Sequence, residues 1–199
     1  MIDHAETARA PRPLGGALIA EATCVARTAQ LFASRRLREP RDHVGEVLHF
    51  ADGSSARVYR ETVVDHRPVS HPAALVVQFR LRWVRGRGHA WFRAESVLNT
   101  PLFAGFQGFV SKLWVANDQN GVYRGVYQWE GSELAHAYAR ALWWILASVS
   151  ERGSIRYVVL PGCTRDELVA GADHADGAWW RVTKVLSQSE RSALTPTAV

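Results

Sequence analysis

Apolar residues recur at spacings of three and four along residues 14–36, which is the pattern of an amphipathic helix. The apolar positions include Leu18, Ala22, Val25, Ala29 and Phe32. Residues 1–13 contain prolines and charges but no period of this kind. The sequence therefore predicts a disordered tail over residues 1–13, in which we place no chemistry, and a helix that begins near Leu14.

Two strand-like runs occupy residues 46–64, on either side of an Ala-Asp-Gly-Ser sequence at 51–54. Asp-Gly between two such runs favours a β-hairpin, because a type I′ turn requires positive φ angles. Residues 65–72 include two prolines and are typical of a linker. We therefore predict that residues 14–71 form an N-terminal helix and β-hairpin extension.

A second series of elements occupies residues 72–162. Apolar and polar side chains alternate over 74–84, which indicates a half-buried strand. The sequence then predicts a less regular, partly helical segment at 90–106, strands at 109–116 and 122–129, a helix from Ser132 to a stop at Gly153, and a strand at 154–160. This order, βαββαβ, predicts a ferredoxin-like α+β domain. Residues 163–199 form a C-terminal extension, in which 179–182 fit either an edge strand or a short helix.

The length of 199 residues and the hydrophobic content of 47% allow one domain with an extension or two small domains. The formal net charge is +5, and only Lys112 and Lys184 among the 24 basic residues are lysines. The densest basic group, Arg80, Arg82, Arg85, Arg87 and Arg93, is scattered over strand and loop rather than gathered on one face. We therefore do not expect a nucleic-acid partner.

Cysteine usage and hydropathy bear on the compartment. Cys24 and Cys163 lie far apart and have no metal-ligand spacing around them, which fits a reducing cytoplasm. The apolar run after Arg12 mimics the start of a signal peptide, but Glu21 interrupts it, and we interpret the run as an ordinary helix. The longest apolar run, 141–149, is too short to cross a membrane. We predict a cytoplasmic protein that neither crosses nor binds a membrane.

Strong chemical motifs are missing from the sequence. It contains no GxGxxG, P-loop, GxSxG or HExxH pattern. The usual nucleotide-dependent and hydrolase classes are therefore disfavoured. We predict that no cofactor and no metal ion is bound.

Three short stretches resemble a known family. Residues 108–114 read GFVSKLW, residues 121–129 read GVYRGVYQW, and residues 135–138 read AHAY within an alanine-rich helix. Together they resemble the YdhR-like monooxygenases of the dimeric α+β barrel superfamily, and the match covers about a third of the chain. The resemblance implies a barrel built by two chains, hence a homodimer, and oxygenation of a small molecule without a cofactor.

Side-chain direction along the strands indicates which residues meet in such a fold. The cavity lies between sheet and helices, Lys112 shares a strand face with Trp114, and Tyr123 shares one with Tyr127. His136 and Arg140 are one helical turn apart. We predict catalytic roles for His136, Tyr127 and Lys112, and substrate binding by Arg82, Trp114, Tyr123 and Arg140. His136 would be the base, and Lys112, Arg82 or Arg140 the charge that stabilises an anion. The alternative is that these are ordinary core or surface residues.

The expected function is a cofactor-independent monooxygenase acting on a hydrophobic aromatic or polyketide-type molecule. Two alternatives remain open: a cyclase or isomerase of natural-product biosynthesis on the same fold, and a non-catalytic small-ligand-binding dimer. A buried cavity with His136 or Lys112 projecting into it favours an enzyme. A fully packed interior favours the binding protein.

Overall fold

The computed structural model describes residues 5–65, 68–82, 100–171 and 178–187. Its helices are α1 (Leu14–Ala33), α2 (Ser132–Val149) and the short α3 (Arg165–Val169), with a 3₁₀ turn at Arg152–Ser154. Its strands are β1 (Glu6–Thr7), β2 (Leu37–Arg38), β3 (Val47–Phe50), β4 (Ser55–Val64), β5 (Pro72–Arg80), β6 (Phe109–Val115), β7 (Val122–Glu130), β8 (Arg156–Pro161) and β9 (Val182–Leu186). None of the helices in these ranges combines the length and the apolar character needed to cross a membrane.

Within the described residues, the nine strands form one curled antiparallel sheet in the order β1-β8-β5-β7-β6-β4-β3-β9, with β2 paired to β4. The predicted hairpin at 46–64 is confirmed as β3 and β4. Gly53 in its turn has a φ of 81°, a conformation that favours glycine. The hairpin pairs with β6 and with β9. Residues from all three predicted segments, 14–71, 72–162 and 163–199, therefore share one sheet.

The expectation of a mixed α+β fold is confirmed. Residues 72–162 contain four strands, which lie in the sheet in the order β8-β5-β7-β6. Numbered within this segment, they are its fourth, first, third and second strands. The finer prediction of a βαββαβ domain is not confirmed, because five further strands extend this sheet. Most of the predicted first helix, residues 90–99, lies outside the described residues.

One face of the sheet packs against α2 and forms the first core. Leu75 of β5 and Trp129 of β7 are fully buried there, and α2 contributes Tyr138 and Leu142. The apolar stripe read from the sequence of α2 thus faces the sheet, as a helix with this period should.

The opposite face of the sheet forms a second core. The sheet curls, and the chain after β8 folds back so that Leu168 of α3 and Trp180 pack with Ala74 and Val76 of β5. β5 is therefore buried on both faces, whereas the alternating pattern predicted a half-buried strand. The reason is that positions 74 and 76, on its second face, are apolar and meet a cover from within the same chain.

Residues 5–13 differ from the prediction of a disordered tail. β1 pairs with β8, the Arg9 amide donates to the Tyr157 hydroxyl at 2.7 Å, and the Arg12 amide donates to the Arg140 carbonyl at 3.2 Å. We call residues 5–13 the N-terminal strap. Its polar groups find partners on β8 and α2, which no local pattern in the sequence reveals.

The C-terminal extension contains two described elements. The side chains of Thr164 and Glu167 form a capping box that begins α3. β9 pairs with β3 at the edge of the sheet and begins at Val182. Of the two structures predicted for residues 179–182, an edge strand or a short helix, the edge strand agrees better with this position.

Candidate active site

A cavity of about 560 Å³ lies between the first face of the sheet and α2. Its volume suits a small organic molecule. Aromatic side chains make up much of its wall, including Phe79, Phe103, Trp114, Tyr123, Tyr127 and Tyr138. β5, β6 and β7 supply four of these rings, and α2 supplies Tyr138 across from them.

Lys112 reaches this cavity from the middle of the sheet. On β6 it stands opposite Thr62 of β4 and Tyr127 of β7. Side chains directly opposite each other share a face of the sheet, so Lys112 and Tyr127 point to the same side. Lys112 is only 7% exposed.

The Lys112 ammonium nitrogen is surrounded by aromatic rings. Nζ lies 3.2 Å from the ring centroid of Trp114, 4.5 Å from that of Phe103 and 4.8 Å from that of Tyr127. Trp114 is held in place because its indole N–H donates to the Thr62 hydroxyl at 2.9 Å. Among the described residues, Nζ makes no hydrogen bond or ion pair with any side chain or backbone group.

Burial lowers the pKa of Lys112 well below its ordinary value of 10.5, and the positive charge of Arg60 lowers this pKa further. Arg60 itself is paired with Glu39 and donates to the Thr100 hydroxyl at 2.7 Å. The Glu39 carboxylate is therefore paired with the Arg60 guanidinium. The arrangement favours an unprotonated amine at Lys112.

Two tyrosine hydroxyls meet on the same wall. The Tyr138 hydroxyl donates to the Tyr127 hydroxyl at 3.3 Å. Burial raises the pKa of both phenols, so both remain protonated. Since Tyr127 accepts from Tyr138, its own hydrogen remains for an acceptor inside the cavity.

Gly125 provides the space for the Tyr127 ring. Both residues point to the same face of β7, and the ring leans along the strand. A Cβ atom at position 125 would lie 2.6 Å from the Tyr127 ring, which is too close. The glycine therefore determines where the phenol lies.

Arg82 lines the end of the cavity where α2 ends. Its guanidinium donates to the Ser150 carbonyl at 2.8 Å, and its backbone amide donates to the Val149 carbonyl at 2.9 Å. A cation at a helix C-terminus is favourable, and here it also adds positive charge to one end of the cavity.

Five of the seven predicted site residues line the cavity: Arg82, Lys112, Trp114, Tyr123 and Tyr127. They come together because β6 and β7 are neighbours in register and because Arg82 follows β5, which is hydrogen-bonded to β7. His136 and Arg140 are not among the lining residues that the structure describes.

His136 lies on the side of α2 that faces β8 and the N-terminal strap. It is 1% exposed, with Nε2 2.8 Å from a Glu6 carboxylate oxygen and Nδ1 3.2 Å from the Tyr157 hydroxyl. The Arg140 guanidinium donates to the Ala10 carbonyl at 2.6 Å. Both residues therefore hold the strap in place, and the expected base does not face the cavity.

Tyr138 and Phe103 are among the lining residues that were not singled out from the sequence as site residues. Tyr138 belongs to the apolar stripe of α2, and its position four residues before Leu142 indicates only that it faces the core. Phe103 lies in an irregular turn at 100–106, where no periodicity exists to predict its direction.

No carboxylate or imidazole is present among the described residues that line the cavity. Nor does the described part of the chain contain a group of three or more His, Cys, Asp and Glu side chains placed to hold a metal ion. Among these lining residues, Lys112 is the group whose lowered pKa makes it a candidate general base.

Comparison with protein-family models, with curated proteins and with solved structures gives no match. The resemblance to the YdhR-like monooxygenases therefore rests on the three sequence stretches alone. The function must be inferred from the geometry of the cavity.

Proposed function

We propose that this protein is an enzyme of the cofactor-independent monooxygenase type, acting on a hydrophobic aromatic or polyketide-type molecule bound in the aromatic cavity. One observation carries the proposal: a buried amine, which has no acidic partner among the described residues, lies at the wall of a cavity lined by aromatic rings. Burial of this kind tunes a lysine to act as a general base. Lys112 thus takes the role that the sequence suggested for His136.

The proposed reaction begins when the Lys112 amine removes a proton from an acidic C–H or O–H group of the substrate. The resulting ammonium lies against the Trp114 ring and beside the substrate anion, so that both charges are stabilised. Tyr127 donates its free hydrogen to an oxygen of that anion. The anion supplies the electrons to molecular oxygen, and a CH₂ group with O₂ then gives a C=O group and water.

A cyclase or isomerase would begin in the same way. The same anion would be reprotonated at another carbon, or would attack a carbonyl of the same molecule, and no oxygen would be consumed. A non-catalytic ligand-binding protein would bind such compounds without turnover. These alternatives differ from the oxygenase in what happens after proton removal.

The test uses quinol and anthrone-type compounds with the full-length protein. A thermal-shift screen selects ligands, and an oxygen electrode then measures oxygen uptake with each of them. We expect uptake with wild type and with Lys184→Met, and loss of uptake with Lys112→Met. Ligand conversion without oxygen uptake would favour the cyclase or isomerase, and binding without conversion would favour the carrier.

We also propose that the protein works as a homodimer. The second core covers the far face of the sheet from within the same chain, so that face does not need a second subunit. A different surface supports the proposal. On α1, the exposed fractions of Leu18, Ile19 and Phe32 are 62%, 71% and 74%. Exposed apolar side chains of this size on one helix are typical of a surface that a second subunit covers.

A further inference from the structure

The Lys112 amine has the surroundings of a nucleophile as well as those of a base. Its nitrogen has no hydrogen-bond partner among the described residues. Within this part of the chain, no donor is bonded to its lone pair and no carboxylate accepts its hydrogens. It lies at the wall of a cavity with room for a ring-containing ligand. A desolvated lysine beside a second cation is an arrangement that activates the amine for attack on carbonyl carbons.

We infer that Lys112 forms an imine with hydrophobic aldehydes or ketones that enter the aromatic cavity. The inference rests on the proposed function only in taking this cavity as the ligand site. It adds the substrate class, a carbonyl compound with an apolar ring, and a covalent intermediate. Proton abstraction alone requires neither.

The reaction balances without an oxidant or a reductant. The Nζ lone pair forms a bond to the carbonyl carbon, the carbonyl π electrons move to oxygen, and one amine proton moves to that oxygen. The C–OH bond then breaks, the second amine proton leaves with it as water, and nitrogen forms the C=N bond. The Tyr127 hydrogen is available to the oxygen during both steps.

The surroundings of Nζ also favour the product. The imine formed in this way is neutral, so the burial of Nζ and the positive charge of Arg60, which disfavour an ammonium, do not disfavour it. The rings of Trp114, Phe103 and Tyr127 surround it, with centroids 3.2, 4.5 and 4.8 Å from Nζ. Hydrolysis by water that enters the cavity reverses the step and releases the amine.

The chain itself supplies the internal control, because Lys184 is its only other lysine and lies exposed on β9. The full-length protein is incubated with benzaldehyde at neutral pH and treated with sodium borohydride, which reduces an imine to a stable benzylamine. Intact mass and peptide mapping then locate the added benzyl group. We expect Lys112 to be labelled faster than Lys184, because burial lowers the pKa of Lys112 and so leaves more of it as free amine at neutral pH.

Two variants and one further measurement complete the experiment. Lys184→Arg should retain the fast label and Lys112→Met should lose it. Wild-type labelling is also followed as the pH is lowered, and the Lys112 label should persist after the Lys184 label has fallen away. This measurement needs no variant, so misfolding of Lys112→Met would not obscure the result.

Binding of benzaldehyde is followed separately by quenching of tryptophan fluorescence. Quenching without a label at Lys112 would overturn the imine and leave the proposed base function intact. If neither benzaldehyde nor the quinols quench, the cavity is not the ligand site, and both proposals are wrong. Equal labelling rates at the two lysines would also overturn the imine.

Discussion

At the scale of single residues, the protonation state of Lys112 has a consequence for stability. In the unfolded chain Lys112 keeps its proton up to about its ordinary pKa of 10.5, while the folded protein releases it at lower pH. Between these two pKa values the unfolded state binds more protons. The contribution of Lys112 to the free energy of unfolding therefore rises with pH through this interval and is constant above pH 10.5.

Lys112→Met removes the ionisable group and keeps the apolar stem. We expect the variant to be more stable than wild type at neutral pH, with a difference that shrinks as the pH approaches 10.5. Urea denaturation over a pH series measures it, and Lys184→Met is the control that should show no such trend. A stability difference that is the same at every pH would mean that Lys112 titrates normally.

Gly125→Ala tests the space that the Tyr127 ring occupies. The new methyl group would overlap the ring, which packs against Phe103 and Tyr138, so the ring would have to leave its place in the cavity wall. Overpacking of this kind costs about 1–3 kcal/mol. We expect a lower melting temperature and weaker ligand binding, whereas Gly153→Ala, with open space around its Cβ, should change neither. Unchanged binding by Gly125→Ala would show that the phenol position is not critical.

At the scale of elements, α1 approaches the turn at 100–106 through Gly105. A Cβ atom there would lie 2.0 Å from the Cys24 carbonyl oxygen and 2.8 Å from the Thr28 amide nitrogen. Both are backbone atoms of α1, so the whole helix or the turn must move. Because Phe103 belongs to this turn, a displacement reaches the cavity.

We therefore expect Gly105→Ala to lower both the melting temperature and the ligand affinity. Gly16→Ala on α1 is the matched control: nothing lies near its Cβ, and alanine favours a helix over glycine by about 1 kcal/mol. Differential scanning calorimetry and ligand titration measure the two effects. Equal behaviour of the two variants would contradict the close approach of α1.

The N-terminal strap gives a test of whether His136 is structural. His136→Ala would leave the Glu6 carboxylate and the Tyr157 hydroxyl without this partner, at a cost of about 1–3 kcal/mol. We expect lower stability and unchanged turnover per folded molecule, with the exposed His71→Ala as control. A large fall in turnover at unchanged stability would instead restore His136 as the base.

The local elements could be predicted from the sequence because their signals are local. The period in residues 132–149 gives α2, and Asp52-Gly53 gives the hairpin of β3 and β4. Strand parity placed Lys112 beside Trp114 and Tyr123 beside Tyr127 correctly. The position of His136 could not be predicted, because periodicity does not say which side of a helix meets the cavity and which side meets the strap.

At the scale of the whole molecule, the second core could not be predicted. Its cover comes from α3 and Trp180, whose short segments carry little periodic signal, and it meets β5 only because the sheet curls. The same long-range pairing explains why the four strands of residues 72–162 became part of a nine-stranded sheet.

The oligomeric state is the remaining prediction at this scale. Light scattering at micromolar concentration should give the mass of a homodimer for wild type. Phe32→Lys places a charge in the exposed apolar surface of α1 and should shift the equilibrium towards the monomer, while Arg156→Lys on the exposed part of β8 should not. A wild-type monomer at this concentration would overturn the proposal.

The outermost strands of the sheet, β1 and β9, are held by contacts between residues far apart in the chain. Glu6 and His136 are separated by 130 positions, and Thr183 bonds to the His49 carbonyl across 134. Contacts of this span form slowly, because a large loop must close before they add any stability. We therefore expect the edges to form late in folding, so that β3 and β8 are for a time unpaired strand edges on which newly made chains are prone to aggregate.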